Sequence, residues 1–174
     1  LRDGKVDEID IMQVRFGSSV RYAHSYVGLG LTPLVAEELN KHSLSAFKEM
    51  WLAIKTYWRL RPFEIEHDGK RFSYDSILMT TIGRMAKHLT LSRSITAQDG
   101  NFALIKWPHK NKLRLTSIIV KAVLRKPLPK ERMKEFTFKI ILPQPMQLDG
   151  ELVNLPKNTK VTVTIQPKKL RTLL

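Results

Sequence analysis

The first hydrophobic pattern along the chain is that of β-strands. Residues 5–14 and residues 18–27 are rich in Val, Ile and Tyr, and Gly17 separates them. β-branched and aromatic residues favour extended backbone, whereas glycine favours a turn. The pattern predicts a pair of strands, and Gly28-Leu29-Gly30 is expected to end it.

Two later segments have the spacing of helices. A helix is expected to begin at Thr32-Pro33, because threonine caps free amides and proline is tolerated in the first turn. Large apolar residues then recur at intervals of three and four, up to Pro62, at Leu44, Phe47, Trp51, Ile54 and Trp58. A second stripe ends by Pro127 and consists of Leu115, Ile118, Ile119 and Ala122. Both stripes predict helices that pack against a sheet.

The rest of the chain has the period of two that is typical of half-buried strands. Phe63 and Ile65, then Asp68-Gly69, then Phe72 and Tyr74 predict a tight hairpin, with strands continuing to Thr81. Residues 82–98 have no sustained period and predict a long connection, and residues 102–107 predict a short strand. Alternation returns at Phe136, Phe138, Ile140 and Leu142, and again at Val161, Val163 and Ile165. The predicted fold class is therefore mainly β, an antiparallel sandwich or barrel with helical insertions.

Composition narrows the possible functions. The 174 residues have the usual size of one domain, and no segment has the roughly 18 apolar residues that cross a bilayer. The absence of cysteine excludes disulfides and thiolate metal sites, which fits a reducing compartment. The net charge of +14 favours polyanionic partners, whether nucleic acid, anionic lipid headgroups or nucleotide phosphates.

Three Asp-Gly pairs after the first strand, at Asp68, Asp99 and Asp149, are the candidate chemical motifs. The dipeptide favours hairpin turns, and the alternation around Asp68 is fully explained by such a turn. In the segment 147–151, Asp149 and Glu151 place two carboxylates on either side of one glycine. Phosphoryl transfer to an alcohol needs a carboxylate that accepts or orients the hydroxyl proton, and both residues have suitable chemistry.

The segment Gln147-Leu148-Asp149-Gly150-Glu151 resembles the C-terminal signature of lipid kinases of the diacylglycerol kinase and sphingosine kinase superfamily. The strand around Ile9-Asp10-Ile11 and the segment Tyr26-Val27-Gly28-Leu29-Gly30 resemble the family's stretch after its nucleotide motifs. Residues 95–102 resemble the family's Ala-x-x-Asp-Gly segment. The order of these segments matches as well, so the resemblance covers nearly the whole chain.

The resemblance implies roles for individual residues. Asp149 matches the general base for the lipid hydroxyl, and Glu151 matches the neighbouring acid of the same motif. Asp99 matches a residue that helps to hold a structural Mg²⁺ ion, with backbone carbonyls at Thr96 and Asn101. The chain departs from the family in residues 84–93, where a glycine-rich, proline-containing approach is usual.

The family's phosphate-binding motifs, Gly-Gly-Asp-Gly-Thr and Gly-x-x-Asn-Asp, do not occur in this sequence. The resemblance therefore implies that residues 1–174 are a single lipid-acceptor domain, inactive alone. Its partner is expected to be an N-terminal nucleotide-binding domain of the same protein, which would bind most of the co-substrate ATP. We accordingly expect an ATP-dependent lipid kinase whose substrate is a membrane lipid alcohol.

A kinase with a membrane-resident acceptor works at the surface of an often anionic bilayer, so the resemblance implies a cytoplasmic protein that is peripheral to a membrane. The basic residues are then either a membrane-facing patch or a solvated surface. The candidate membrane patch surrounds the second predicted helix and comprises Lys112, Arg114, Lys121, Arg125 and Lys126. Two alternatives remain, a kinase of the NAD kinase type with a soluble acceptor and a non-enzymatic basic β-domain that docks to membrane or nucleic acid. Nucleic acid is not the expected partner, because aromatic and basic residues do not alternate along the strands. Self-association as a homodimer stays open.

Overall fold

The computed structural model describes residues 6–30, 61–85, 89–90, 95–109 and 130–173. These residues form strands, turns and connections, and no helix lies among them. In particular, they contain no helical segment of the length and hydropathy that a bilayer crossing requires. Both predicted helices and the candidate membrane patch fall outside the described residues.

Thirteen strands are present in the described part of the chain. Those before the second predicted helix are β1 Val6–Phe16, β2 Ser19–Ala23, β3 Tyr26–Gly30, β4 Phe63–His67, β5 Lys70–Thr80, β6 Arg84–Met85, β7 Leu89–Thr90 and β8 Phe102–Pro108. Those after it are β9 Glu131–Met133, β10 Glu135–Ile140, β11 Gln144–Leu148, β12 Glu151–Leu155 and β13 Lys160–Leu173. The prediction of a mainly β fold is confirmed.

Eleven of the strands form one antiparallel sheet that curls on itself. Its order is β12-β11-β3-β5-β4-β10-β13-β1-β2, and β8 branches from β5 and pairs with β9. β6 and β7 form a separate two-stranded sheet. Strands that are distant in sequence are therefore neighbours, and β11, near the end of the chain, pairs with β3, near its beginning.

The core lies around the second half of β5. Residues 74–80 are all buried, so both faces of the sheet are covered there. β5 pairs with β4 along residues 70–74 and with both β3 and β8 along residues 76–80. The largest fully buried side chains belong to six of the strands and are Phe102, Phe138, Met12, Leu29, Ile65, Ile77, Leu78, Met79, Leu104, Ile105 and Ile140.

The expected strand over residues 18–27 is wrong, because the chain turns in its middle. β2 ends at Ala23 and β3 begins at Tyr26, and Gly28-Leu29-Gly30 lies inside β3 instead of ending a strand pair. β2 pairs with β1 at one edge of the sheet, whereas β3 lies between β11 and β5. The apolar pattern continues through the turn, so the pattern alone does not show that the two halves lie in different parts of the sheet.

Two smaller expectations also need correction. The connection over residues 82–98 contains the short strands β6 and β7. The alternation at residues 136–142 stops at Ile140, where β10 ends, and Leu142 is 67% exposed in the following connection. Leu142 extends the apolar alternation by only one further step, which is too short to distinguish a strand from a turn.

The remaining strand predictions are confirmed. β4 and β5 form the expected hairpin, in which His67 faces Lys70 and the two turn residues, Asp68 and Gly69, have φ angles of 50° and 71°. Asp-Gly is favoured at such a turn because both positions need positive φ. The expected strand over residues 102–107 is β8.

Candidate active site

The turn between β11 and β12 brings the two predicted catalytic acids to one place. Asp149 and Gly150 form the turn, with φ angles of 46° and 102°. Glu151 begins β12 opposite Leu148 and is exposed. The Asp149 side chain is only 18% exposed, and it points towards the turn between β2 and β3. The two acids are therefore close in sequence and space but differ in environment.

The Asp149 carboxylate is surrounded by hydrogen-bond donors of the β2–β3 turn. Oδ2 accepts the backbone N–H of His24 at 2.6 Å. Oδ1 accepts the backbone N–H groups of Ser25 and Tyr26 at 2.9 and 2.8 Å. The Asp149 N–H in turn donates to the carbonyl oxygen of Tyr26 at 3.0 Å. The carboxylate stabilises the turn that separates β2 from β3, because three successive amides there converge on it.

His24 also contacts this carboxylate through its ring. The distance from Nδ1 to Oδ2 of Asp149 is 2.7 Å, and the His24 side chain is 57% exposed. The sequence contains no local signal for this contact, because the two residues are 125 positions apart. The pairing depends on β3 and β11 being neighbours in the sheet.

The end of β5 supports the β2–β3 turn from the other side. The Thr81 hydroxyl donates to the His24 carbonyl oxygen at 2.6 Å, and the Thr80 hydroxyl donates to the Ser25 carbonyl oxygen at 2.9 Å. The Thr81 N–H donates to the same Ser25 oxygen at 3.1 Å. Both threonines are buried. The backbone of the β2–β3 turn is therefore held on both sides, through its amides by Asp149 and through its carbonyls by the end of β5.

The negative charge of Asp149 affects the neighbouring phenol. Burial raises the pKa of Tyr26 above its usual value of 10.0, and the Asp149 carboxylate raises that pKa further. Tyr26 therefore stays neutral at physiological pH.

Gln147, the first residue of the Gln-x-Asp-Gly-Glu segment, is buried on β11 opposite Gly28, and its Oε1 has no hydrogen-bond donor among the residues that are described.

The residues of the predicted metal site also lie together, in the turn that precedes β8. The Thr96 hydroxyl donates to Oδ1 of Asp99 at 2.5 Å, and the Thr96 N–H donates to Oδ2 at 3.2 Å. Asn101 Nδ2 donates to the backbone carbonyl of Asp99 at 2.8 Å. Arg132 of β9, which is 33 positions away in sequence, donates from Nη2 to Oδ2 of Asp99 at 2.5 Å.

A magnesium ion at this turn would compete with Arg132 for the Asp99 carboxylate. Mg²⁺ needs free oxygen ligands in a near-octahedral set. Here a guanidinium already occupies Oδ2 of Asp99, and Thr96 occupies Oδ1. Within the described ranges, no group of three or more His, Asp or Glu side chains is positioned to hold a metal. Arg132 supplies the positive charge beside Asp99, and the magnesium assignment stays a prediction.

Known protein structures include several with a similar fold. No protein-family model matches the sequence, and no curated protein matches it either. Among solved structures, a diacylglycerol kinase of Bacillus anthracis str. Sterne matches with a TM-score of 0.64 and 14% identity, covering 96% of this chain and 56% of its own. A candidate diacylglycerol kinase of the same strain matches with a TM-score of 0.67 and 13% identity, over 96% of this chain and 55% of its own.

The chain has the fold of these diacylglycerol kinase structures. It spans about half the length of each solved chain that it matches. A third structure, again a candidate diacylglycerol kinase of this strain, matches at a TM-score of 0.67 and 14% identity, with 96% and 55% of the two chains covered. The fold that the sequence motifs suggested is confirmed.

The buried carboxylate of Asp10, on β1, connects the turn that contains Asp99 to the sheet. Asp10 is 1% exposed, and its backbone N–H donates to the Ala97 carbonyl at 2.7 Å. Its Oδ2 accepts the Gly100 N–H at 2.7 Å, and its Oδ1 accepts the Lys168 N–H at 2.9 Å. A signal for Asp10 is present in the sequence, since a charged residue stands between Ile9 and Ile11 in a strand.

A groove of about 410 Å³ lies elsewhere in the fold, beside the β4–β5 hairpin. β4 and β10 pair only at residues 65–66, and the groove opens where this pairing stops. Its walls include His67, whose ring lies 4.9 Å from that of Phe136, and it contains none of the predicted site residues. The groove therefore does not belong to the Asp149 turn or to the Asp99 turn.

The contacts of Asp99 predict how stability depends on pH. The Thr96 hydroxyl lowers the pKa of Asp99 most, and the Thr96 amide and Arg132 lower it further, against an opposing effect of burial. A lowered folded-state pKa means that the ionised carboxylate stabilises the protein above its ordinary pKa of 3.8. This stabilisation is lost as pH falls from about that value through the lower folded-state value. Asp99→Asn should lower the free energy of unfolding by about 1–2 kcal/mol at pH 7.

Urea denaturation of wild type and Asp99→Asn between pH 7 and pH 3 measures this effect. The difference in stability should shrink as the pH falls below about 3.8. Asp68→Asn is a matched control, because Asp68 also precedes a glycine in a turn but its side chain is 87% exposed. A difference between wild type and Asp99→Asn that stays constant over the whole pH range would contradict the assignment.

Proposed function

We propose that this chain is the acceptor domain of an ATP-dependent lipid kinase of the diacylglycerol kinase type. The observation that carries the proposal is the fold, which matches the diacylglycerol kinase structures over 96% of the chain. The Gln-x-Asp-Gly-Glu segment supports it, because it places the Asp149 carboxylate in a turn between two strands. A fold alone does not define an activity, so the site must supply the chemistry.

The matched chains are about twice as long as this one, which leaves room in them for a further domain. In the proposal, a nucleotide-binding domain of the same protein holds the ATP–Mg²⁺ complex as co-substrate. The acceptor domain presents the lipid hydroxyl to the γ-phosphate. Its contribution is to orient the alcohol and remove its proton, because positioning and charge stabilisation dominate catalysis of phosphoryl transfer.

The Asp149 turn is the proposed place of proton removal. It combines a carboxylate with an exposed imidazole at 2.7 Å. Glu151, exposed at the start of β12, is proposed to lie on the substrate side of the same turn. Both Asp149 and His24 have side chains that accept protons in enzymes. Backbone amides of the β2–β3 turn hold the Asp149 carboxylate, and the His24 ring contacts that carboxylate.

The proposed lipid substrate also gives the basic charge a function. A net charge of +14 attracts an anionic bilayer, and each Lys or Arg near such a surface contributes about 1 kcal/mol of binding. We therefore propose that the intact protein works as a peripheral protein at a membrane, where its acceptor alcohol resides.

A kinase assay on the intact protein tests the proposal. The protein is incubated with radiolabelled ATP, Mg²⁺ and mixed micelles that contain diacylglycerol, sphingosine or ceramide, and phosphorylated lipid is measured. Asp149→Asn should lower kcat by roughly 10²–10⁴-fold, because it removes the negative charge and one of the two acceptor oxygens at the proposed place of proton removal. Asp68→Asn, in the other Asp-Gly hairpin, should keep wild-type kcat.

Folding must be separated from chemistry in this comparison. The KM for ATP should change by less than about two-fold in Asp149→Asn, because the proposed nucleotide-binding domain is untouched. Circular dichroism of the variant checks that the strands persist. Wild-type protein that transfers phosphate to none of the three lipids, or an Asp149→Asn variant with normal turnover, would overturn the proposal.

A further inference from the structure

The turn that contains Asp99 is held by a cation from a distant strand. Arg132 of β9 donates from Nη2 to Oδ2 of Asp99 at 2.5 Å. The pairing of β8 with β9 brings it there, because Arg132 lies opposite Ala103, near the start of the strand that follows the turn. The neighbouring Glu131 pairs with Lys106 at 2.8 Å instead. The guanidinium therefore joins β9 to the turn through a carboxylate that is only 20% exposed.

A magnesium ion at this turn would need the same carboxylate. Mg²⁺ is bound by oxygen ligands, and among these the carboxylates carry the negative charge. The ligand set that the resemblance implies consists of Asp99 with the backbone carbonyls of Thr96 and Asn101, so Asp99 is its only charged member. The contact of Asp99 with Arg132 and the coordination of Mg²⁺ are therefore alternatives, because two cations close to one carboxylate repel each other.

The charges around the turn balance without a further cation. The Asp10 carboxylate accepts the Gly100 N–H at 2.7 Å and adds a second negative charge. Lys130 is near enough for its pKa to respond to both members of the ion pair. Burial lowers the pKa of Lys130 from its usual 10.5, the charge of Arg132 lowers it further, and the charge of Asp99 opposes the change. A divalent ion would add two positive charges beside two basic side chains, which is unfavourable.

We infer that Arg132 takes the place of a divalent cation at the Asp99 turn, so that this chain holds the turn without a metal ion. The guanidinium neutralises Asp99, and Asp10 fixes the turn through the Ala97 carbonyl oxygen and the Gly100 N–H. Removal of the guanidinium frees the Asp99 carboxylate for Mg²⁺. The inference concerns the stability and the metal binding of the turn, so it does not depend on the proposed function. The Mg²⁺ that accompanies ATP is a different ion.

The first test measures the melting temperature of the intact protein in EDTA and in millimolar MgCl₂, without nucleotide. Wild type should melt at the same temperature in both solutions. Arg132→Met keeps an unbranched side chain but loses the charge, and its melting temperature in EDTA should be lower by about 2–4 °C. Mg²⁺ should restore much of this loss, because an ion that binds only the folded protein stabilises it.

Three further variants control for other effects of the substitution. Arg132→Lys keeps the positive charge and should stay unresponsive to Mg²⁺. Arg171→Met removes an arginine that pairs with Glu8 at 3.3 Å, and it should not create a response to Mg²⁺. Arg132→Met combined with Asp99→Asn lacks the charged ligand and should lose the response. A wild-type melting temperature that rises in Mg²⁺ as much as that of Arg132→Met overturns the inference, and so does an Arg132→Met protein that is as stable as wild type in EDTA.

The second test locates the metal. Mn²⁺ shares the preference of Mg²⁺ for oxygen ligands, and it broadens the NMR signals of nearby amides. In ¹H–¹⁵N spectra of the intact protein, Mn²⁺ should leave the signals of residues 96–101 sharp in wild type and broaden them in Arg132→Met. The combination of Arg132→Met with Asp99→Asn should give sharp signals again. This pattern distinguishes an ion at the turn from an ion that binds elsewhere.

The spectra decide the inference in either direction. Selective broadening of residues 96–101 in wild type overturns it, because Asp99 would then bind the metal in spite of Arg132. Sharp signals in a folded Arg132→Met protein also overturn it, because the guanidinium would then not occupy the position of a metal. If Arg132→Met does not fold, the wild-type spectrum still decides: broadening overturns the inference and sharp signals support it.

Discussion

Replacing Gly30 with alanine is expected to lower the free energy of unfolding by about 3–5 kcal/mol, from positive-φ strain and overpacking together. Gly30 ends β3 with a φ angle of 79°. A Cβ atom at this position would lie 2.3 Å from the backbone oxygen of Asp75 and 2.8 Å from Cε1 of Phe63. The oxygen belongs to the buried part of β5 and cannot move without disturbing the pairing of that strand.

Gly17→Ala is the matched control, since Gly17 has a φ angle of 56° but open space around its Cα. It measures the backbone strain alone, which should be about 1–2 kcal/mol. Urea denaturation of both variants, followed by tryptophan fluorescence, gives the two free energies. Trp107 reports directly on this region, because it faces Ser76 of β5. Equal destabilisation of the two variants would show that the close approach of β3 to β5 is wrong.

Replacing Asp10 with alanine is the second change with a large expected effect. The carboxylate accepts the Gly100 and Lys168 amides, and it is 1% exposed. Each partly buried donor that loses this buried acceptor costs about 1–3 kcal/mol, so Asp10→Ala should destabilise the protein by about 2–5 kcal/mol. Asp10→Asn keeps one acceptor and should lose less. The urea midpoint should be highest for wild type, lower for Asp10→Asn and lowest for Asp10→Ala.

The location of Asp10 explains why two distant segments depend on it. The pairing of β1 with β13 is irregular between Ile9 and Ile11, and Lys168 in the bulging segment has a φ angle of 52°. The Lys168 amide bonds to Asp10 rather than to the strand ladder. Amide exchange at Gly100 and Lys168 should accelerate in Asp10→Ala.

Glu8→Gln is the control for Asp10, because Glu8 lies on the same strand but is 43% exposed and pairs with Arg171 at 3.3 Å. An exposed ion pair contributes about 0–1 kcal/mol, so this variant should be almost as stable as wild type. An Asp10→Ala protein as stable as Glu8→Gln would contradict the proposed role of the buried carboxylate.

The amino-acid sequence by itself determined the strand-rich class, the hairpin at Asp68-Gly69 and the likeness to the diacylglycerol kinases. The strand class and the hairpin depend on local preferences: apolar alternation, β-branched residues and a dipeptide that tolerates positive φ. The likeness rests on the resemblance of short motifs such as residues 147–151. It also placed Asp99 with Thr96 and Asn101, and Asp149 with Glu151, because each set lies within a few residues.

Only the tertiary structure decided which of these residues have partners from elsewhere in the chain. The break between β2 and β3 coincides with the binding of the Asp149 carboxylate to amides at residues 24–26, and no local pattern encodes that contact. The contacts of His24 with Asp149 and of Arg132 with Asp99 join residues 125 and 33 positions apart. Such contacts depend on which strands become neighbours in the sheet, and strand order follows from burial of the whole apolar surface rather than from any one segment.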